Sequence, residues 1–211
     1  MDAKGTISPE ELAAAQAFHG HKCPAMPQGL RAGKVAMELL GVSRARGGGE
    51  LLAVIETGEH HFSGCFADGV MFATGCTLGK GNIEKRPLGK FGLTLVDTAS
   101  LRAVRVVPKY ERMSKCLGMD FFQLRKQGVL PWQLDPQVIE PLIANVVESP
   151  WEEMFDVQHI ERYPYHKATE VFAAERCAGC GELVVSSYAT EYQAHFYCPV
   201  CLDEELHAHR R

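Results

Sequence analysis

Two cysteine pairs near the C-terminus constrain this chain more than any other feature. Cys177-Ala178-Gly179-Cys180 and Cys198-Pro199-Val200-Cys201 are separated by seventeen residues. A CxxC step lets one tight turn aim two sulfurs at a common point, and two such steps at this distance have the spacing of a zinc ribbon. Gly179 and Gly181 supply the backbone freedom that such a knuckle requires. Two disulfides would use the same four residues, but the regular spacing favours metal. Four thiolates complete a tetrahedron and leave no open position, so a Zn²⁺ held by Cys177, Cys180, Cys198 and Cys201 is structural. Residues 171–211 are therefore read as a small zinc-ribbon domain, which says how the tail folds and little about what the chain does.

At 211 residues the chain can bury one good core and carry a small satellite. Its composition, 46% hydrophobic and 23% charged, is that of a globular protein. The N-terminus, Met1-Asp2-Ala3-Lys4-Gly5, lacks the basic start and apolar run of a signal peptide. No stretch approaches the ~20 apolar residues that span a bilayer. The expectation is a soluble, cytoplasmic protein with no membrane partner. In that compartment eight cysteines read as metal or redox ligands rather than disulfides. A net charge of −4 gives no general attraction to nucleic acid. The tail itself carries Glu170, Glu175, Glu182, Glu191, Asp203, Glu204 and Glu205 against Arg176, Arg210 and Arg211, the reverse of a phosphate-gripping surface. It reads as a docking or dimer-bracing module, with Tyr188, Tyr192, Phe196 and Tyr197 expected to cover the core around the metal.

Upstream, Ser8-Pro9-Glu10-Glu11 starts a helix with a Ser cap and Pro at its first position, and Gly20 ends it. A second helix is predicted from about Gln28 to Leu40, stopped by Gly41, with Ala32, Gly33 and Ala36 allowing close approach of another backbone. Leu51–Ile55 is a short continuous apolar run, read as a buried strand. Cys65–Ala73 reads as a helix ending at Gly75. Alternation around Phe91–Leu95 and Leu101–Val107, with Thr98-Ala99-Ser100 between, predicts a hairpin. Residues 111–126 and 136–147 read as helices, and the proline-punctuated segment 151–170 as a linker after a core domain of 1–150.

Three separated pieces carry ligand chemistry. Phe18-His19-Gly20-His21-Lys22-Cys23-Pro24 offers three ligands in five positions; Cys65 opens a helix, where the positive end of the dipole favours a thiolate; Cys76 follows Gly75 in a glycine-rich loop. Imidazole with thiolate suits Zn²⁺, Fe²⁺ or Ni²⁺. His60-His61 reads as a loop pair rather than a ligand pair, and Cys116 as an apolar filler. Asp68, one turn after Cys65, is placed either to orient a neighbouring His or to compensate the helix dipole. Gly75-Cys76-Thr77-Leu78-Gly79-Lys80-Gly81 looks like a phosphate loop, but its spacing is one residue short and Gly81 stands where Ser or Thr would hold Mg²⁺. An NTPase is excluded, with Lys80 kept as a candidate anion contact.

Phe18–Pro24, Cys65-Phe66-Ala67-Asp68 and Thr74-Gly75-Cys76-Thr77-Leu78-Gly79-Lys80-Gly81-Asn82, in this order, resemble the FmdE family of formylmethanofuran dehydrogenase proteins over roughly residues 12 to 147. Longer members of that family also end in a zinc ribbon. Where the family has Cys-Pro-Gly, this chain has Cys23-Pro24-Ala25. The resemblance implies an α+β fold with helices packed on a mostly antiparallel sheet, an intertwined homodimer, and a Cys/His core site with a second metal ion of unspecified identity. His19, Cys23, Cys65 and Cys76 would form or flank that site, with His21 a further ligand. It also implies a role accessory to a molybdenum- or tungsten-dependent C1 oxidoreductase; no catalytic residue is assigned. Two other functions stay open. One is a metal sensor or transcriptional regulator acting through the ribbon. The other is a stand-alone enzyme using a Cys65 or Cys76 thiolate with His19 as base.

Overall fold

The structure is a computed structural model that describes residues 5–59, 64–167 and 169–208. It divides into two units, Met1–Tyr165 and His166–Arg211.

In the first unit the chain order is α1 (Pro9–His19), α2 (Ala25–Leu40), β1 (Leu51–Ile55), α3 (Cys65–Thr74), β2 (Ile83–Lys85), β3 (Leu93–Asp97) and β4 (Ala103–Pro108). Then follow α4 (Tyr110–Leu117), α5 (Asp120–Lys126), α6 (Pro136–Glu148), α7 (Trp151–Met154) and β5 (Phe155–Ile160). The strands form one sheet in the order β2-β1-β3-β4-β5, antiparallel except for the β1/β2 pair. Strand period two divides the apolar side chains between its faces. Ala53, Ile55, Leu93, Leu95, Val104 and Val106 pack with Val35, Ala36, Phe66 and Val70 of the helices, whereas Leu52, Val54, Val96 and Ala103 pack with Tyr163.

Segment 151–170 is not a linker over most of its length. Trp151–Met154 is helical, and Phe155–Ile160 is an edge strand paired with β4 from Pro108↔Phe155 to Ala103↔Ile160. The prolines at 150 and 164 flank this strand instead of interrupting it, which is where a ladder tolerates them. The predicted 111–126 helix is also broken, at Gly118 and the extended Met119, into α4 and α5.

α1 is capped as its sequence demands: Ser8 Oγ accepts from the Glu11 amide at 3.1 Å, and Gly20, at φ 90°, returns its amide to the Gln16 carbonyl. α2 begins at Ala25, one turn earlier than its periodicity predicts, and is buried on nearly every side. One face lies on the sheet; the other meets Ala15 of α1, Phe121 of α5, and Ile139 and Ile143 of α6.

The α2/α3 contact sets the geometry of everything nearby. A Cβ built on Gly29 would lie 1.9 Å from the Phe66 carbonyl oxygen; one on Gly69 would lie 2.0 Å from the Met26 oxygen and 2.4 Å from the Leu30 nitrogen. Gly33 continues the seam against Ala73. Contacts advance in the same direction along both helices, so they run side by side from adjacent N-termini. Backbone approaches backbone here, and only glycine leaves room.

In the second unit, β6 (Ala174–Arg176) pairs with β7 (Leu183–Val185), β8 (Thr190–Tyr192) pairs with β9 (His195–Tyr197), and α8 (Pro199–Ala208) follows. The first cysteine pair sits in the β6/β7 turn, as a knuckle. The second does not: Cys198 precedes α8 and Cys201 lies in its first turn. Pro199 explains the difference, since its fixed φ and missing N–H suit the first helical position. The unit is thus knuckle, hairpin and helix rather than a ribbon of two knuckles. Nor do all four aromatics cover the centre, because Tyr188 and Phe196 are exposed.

Gly69→Ala and Gly29→Ala are each expected to destabilise the first unit by about 3 kcal/mol through overpacking. In thermal unfolding this lowers Tm by about 6–12 °C. Gly79→Ala, where an added Cβ meets nothing within 4 Å, should leave Tm unchanged.

Candidate metal centre

Four of the sequence-nominated ligands converge in the first unit. The ligand atoms of His19, His21, Cys23 and Cys65 all lie within 4.8 Å of one another. Three of them stand at or beside a helix end, and His21 lies in the turn between α1 and α2. His19 is the last residue of α1, Cys23 stands just before α2, and Cys65 is the first residue of α3. Because α2 and α3 start side by side, both thiols sit at positive helix ends, where a thiolate is favoured. Gly20 turns the chain sharply between the two histidines, whose rings lie 4.2 Å apart.

Hydrogen bonds orient the donors. His19 Nδ1 lies 2.7 Å from Asp68 Oδ2, and its Nε2 is 3.6 Å from the Cys23 sulfur. His21 Nε2 lies 3.8 Å from the Cys65 sulfur. Of the two roles open to Asp68, the structure adopts orientation of a histidine: the carboxylate accepts a hydrogen bond from Nδ1–H and leaves Nε2 aimed at the thiols. The Asp68 carboxylate, and then the Cys65 sulfur, raise the His19 imidazole to about 9 against the effect of its burial. A hydrogen bond from Cys23, then the two histidines, hold the Cys65 thiol down at about 4, although burial opposes this. Cys23, which donates that bond from a buried site, is pushed up. These shifts favour a thiolate at Cys65, a thiol at Cys23 and a protonated His19.

Cys76 does not join them. It is fully buried in the core beneath the sheet, with its amide on Thr74 Oγ1, and burial raises its thiol. The reason is length: the ten residues of α3 carry the chain about 15 Å from Cys65 before Cys76 is reached. Lys80 is no anion contact, since its ammonium donates to the carbonyls of Gly75 at 2.8 Å and Ala45 at 3.2 Å. Cys116 borders a small cavity with Gln28 and Met113, and burial raises its thiol too. His60 and His61 lie outside the described residues.

An apolar pocket of about 350 Å³ opens directly onto His21, Cys23 and Cys65. Its far wall comes from α4 and α5, through Leu117, Phe121, Phe122, Arg125 and Lys126. Sequence reading missed these residues, because a charged helix with two adjacent phenylalanines looks like any amphipathic helix. The break at Gly118 is what turns α5 toward the cluster.

In the second unit the ligand atoms of Cys177, Cys180, Cys198 and Cys201 also lie within 4.8 Å of one another. The Cys198 amide donates to the Cys177 sulfur at 3.3 Å, and with the Cys180 amide holds that thiol at about 6. The Cys198 sulfur and burial push Cys201 up to about 12. Gly179 is obligatory here, since a Cβ would fall 2.8 Å from the Cys201 sulfur.

The sequence model of the family described as "FmdE, Molybdenum formylmethanofuran dehydrogenase operon" matches residues 18–156. The chain belongs to the FmdE family. The match begins at the turn carrying His19 and ends in β5, so it encloses the whole His/Cys cluster. An Archaeoglobus fulgidus protein named "Probable S-adenosyl-L-methionine-binding protein" is 33% identical over 185 residues, which cover 83% of this chain and 49% of that protein. This chain thus spans about half the length of that relative. The crystal structure of a tungsten formylmethanofuran dehydrogenase FmdE-like protein from Syntrophus aciditrophicus has the same fold: its TM-score is 0.64 at 22% identity, over 97% of this chain and 98% of that one.

The thiols should differ sharply in reactivity. In chelator-treated protein at pH 5, above the value near 4 for Cys65, iodoacetamide is expected to label Cys65 first. Cys177, near 6, should follow, while Cys76 and Cys116 stay protonated and unlabelled. Peptide mass spectrometry over a time course reads the order; Cys76 reacting as fast as Cys65 would contradict the assigned charges.

Proposed function

We propose that this FmdE-family chain is a metal-binding accessory protein with two centres of different kinds. His19, His21, Cys23 and Cys65 would hold one exchangeable transition-metal ion, and Cys177, Cys180, Cys198 and Cys201 one structural Zn²⁺. The observation that carries the reading is the convergence of four donors from three helix ends and the turn between α1 and α2, with Asp68 orienting His19. A tetrahedral Zn²⁺ site has ligand–ligand separations of ~3.3–3.8 Å, so donors already within 4.8 Å need only small side-chain adjustments to close on an ion. Two imidazoles and two thiolates fit Zn²⁺, Fe²⁺ or Ni²⁺. A bound ion of this class supplies Lewis acidity or, for iron, electron transfer. The chain's own groups do the rest: Asp68, by accepting from it, keeps the proton on His19 Nδ1, the two helix ends stabilise thiolate charge, and the apolar wall of the pocket limits water.

We further infer that the protein serves a molybdenum- or tungsten-dependent C1 oxidoreductase, as the names attached to the family and to the Syntrophus protein suggest. It would act in the cytoplasm as a homodimer. An intertwined dimer would cover exposed apolar groups such as Tyr110 and Trp132, and in the second unit Phe172 and Leu183 suit a docking surface. No helix among the described residues is long and apolar enough to cross a membrane.

One observation favours a second reading. Cys65, His19 and Asp68 also form the thiolate–imidazole–carboxylate series of a nucleophilic enzyme, with His19 able to exchange a proton beside the sulfur. Metal content separates the two. Plasma mass spectrometry should find about two ions per chain in the wild type, and about one each in Cys65→Ser and Cys177→Ser. Equal content in wild type and Cys65→Ser would remove the core metal and leave the thiolate reading. Asp68→Asn should weaken metal binding at the core by about 10–100-fold in competition with a chromophoric chelator, without touching the second centre.

A further inference from the structure

The pocket beside the His/Cys cluster has a charge pattern that the metal reading does not use. Its walls are apolar, built from Pro24, Ala25, Leu117, Phe121 and Phe122. Apart from the cluster itself, the only ionisable side chains lining it among the described residues are Arg125 and Lys126. No carboxylate among the described residues shares the cavity. Asp120, on the same helix, borders a different cavity with Gln137 and Pro141. Arg125 is partly buried and donates one N–H to the Val129 carbonyl at 2.6 Å, which holds the guanidinium in place and leaves its other donors unspent. Phe121 and Phe122 meet edge to face, with ring centroids 5.1 Å apart, and both line the cavity. A volume of about 350 Å³ is ample for a small organic molecule.

We propose that this pocket binds a small organic carboxylate. Its anionic end is held by Arg125 and Lys126, its apolar or aromatic body lies against Phe121 and Phe122, and its far end faces Cys65 and His21. A guanidinium and an ammonium on an apolar wall select a carboxylate over its neutral ester or amide, because only the anion gains charge-assisted hydrogen bonds there. The proposal gives the His/Cys centre a substrate class, and rests on that centre only for what the far end meets.

The test uses the full chain and two fluorescent probes of the same aromatic shape: anionic 8-anilinonaphthalene-1-sulfonate and uncharged N-phenyl-1-naphthylamine. Arg125→Gln/Lys126→Gln is expected to weaken the anionic probe by about tenfold and the neutral one by less than about twofold. Arg125→Lys/Lys126→Arg should restore the anionic probe. In the wild type, 4-phenylbutyrate should displace it and methyl 4-phenylbutyrate should not. Leu117→Trp, which fills the rim, should weaken both probes. Near-UV circular dichroism verifies that each variant is folded. Equal losses for both probes in the double Gln variant, no loss for the anionic probe, or no effect of Leu117→Trp would overturn the proposal. Cys65→Ser separates it from the metal reading: charge-dependent binding that persists when metal content is unchanged leaves the pocket standing and the core metal refuted. Normal metal content without charge-dependent binding does the reverse.

Discussion

Backbone-to-backbone packing of α2 on α3 is the constraint on which the site depends. Gly29 and Gly69 face each other's helices across a gap too narrow for a methyl group, and Gly33 extends the seam. Helices this close and running side by side must begin together, so Cys23 and Cys65 start from adjacent positions although forty-two positions separate them in the chain. Parallel helix dipoles repel, but at this junction the concentrated positive potential is useful, because it offsets the charge of sulfur. The same seam packs α2 between the sheet and the outer helices, leaving one end open toward the cluster and its pocket.

The two cysteine-bearing centres are assembled by different physics. In the C-terminal unit one pair of sulfurs is set by the β6/β7 turn and the other by the start of α8, and the short β8/β9 hairpin lies between them; the amide of Cys198 on the Cys177 sulfur ties the two pairs together across twenty-one residues. In the N-terminal unit the donors come from separate elements, and a carboxylate from a third position, Asp68, fixes the imidazole. A closed four-thiolate set suits a structural ion. A mixed set at the mouth of an apolar pocket, with one thiol held as a thiolate by its neighbours, suits exchange and chemistry.

The relatives fit this division. The family match runs from the turn of His19 into β5 and stops before the C-terminal unit, so the His/Cys centre lies in the part that defines the family. The Syntrophus structure covers nearly the whole chain, tail included, and so shares the overall fold.

Much of this was legible in the residues themselves wherever the cause is local. Ser8 and Gly20 bracket α1, Leu51–Ile55 is a strand, the Thr98–Ser100 turn joins a hairpin, and the paired CxxC steps mark the second centre; each follows from caps, periodicity or a turn a few residues long. His19, His21, Cys23 and Cys65 could be nominated by side-chain chemistry, but so could Cys76, and only the length and direction of α3 separate it from the rest. Segment 155–160 reads as part of a linker because its alternation, Phe155 and Val157 against Asp156 and Gln158, is short and sits among prolines; pairing with β4 is what makes it a strand. Likewise, nothing in a polar helix announces that Arg125 and Lys126 share a cavity with Cys65. Sequence alone determined the local elements and the inventory of ligands, since those depend on neighbours along the chain. Tertiary structure alone decided which ligands meet and what faces them, since that depends on how closely two glycine-lined helices can approach.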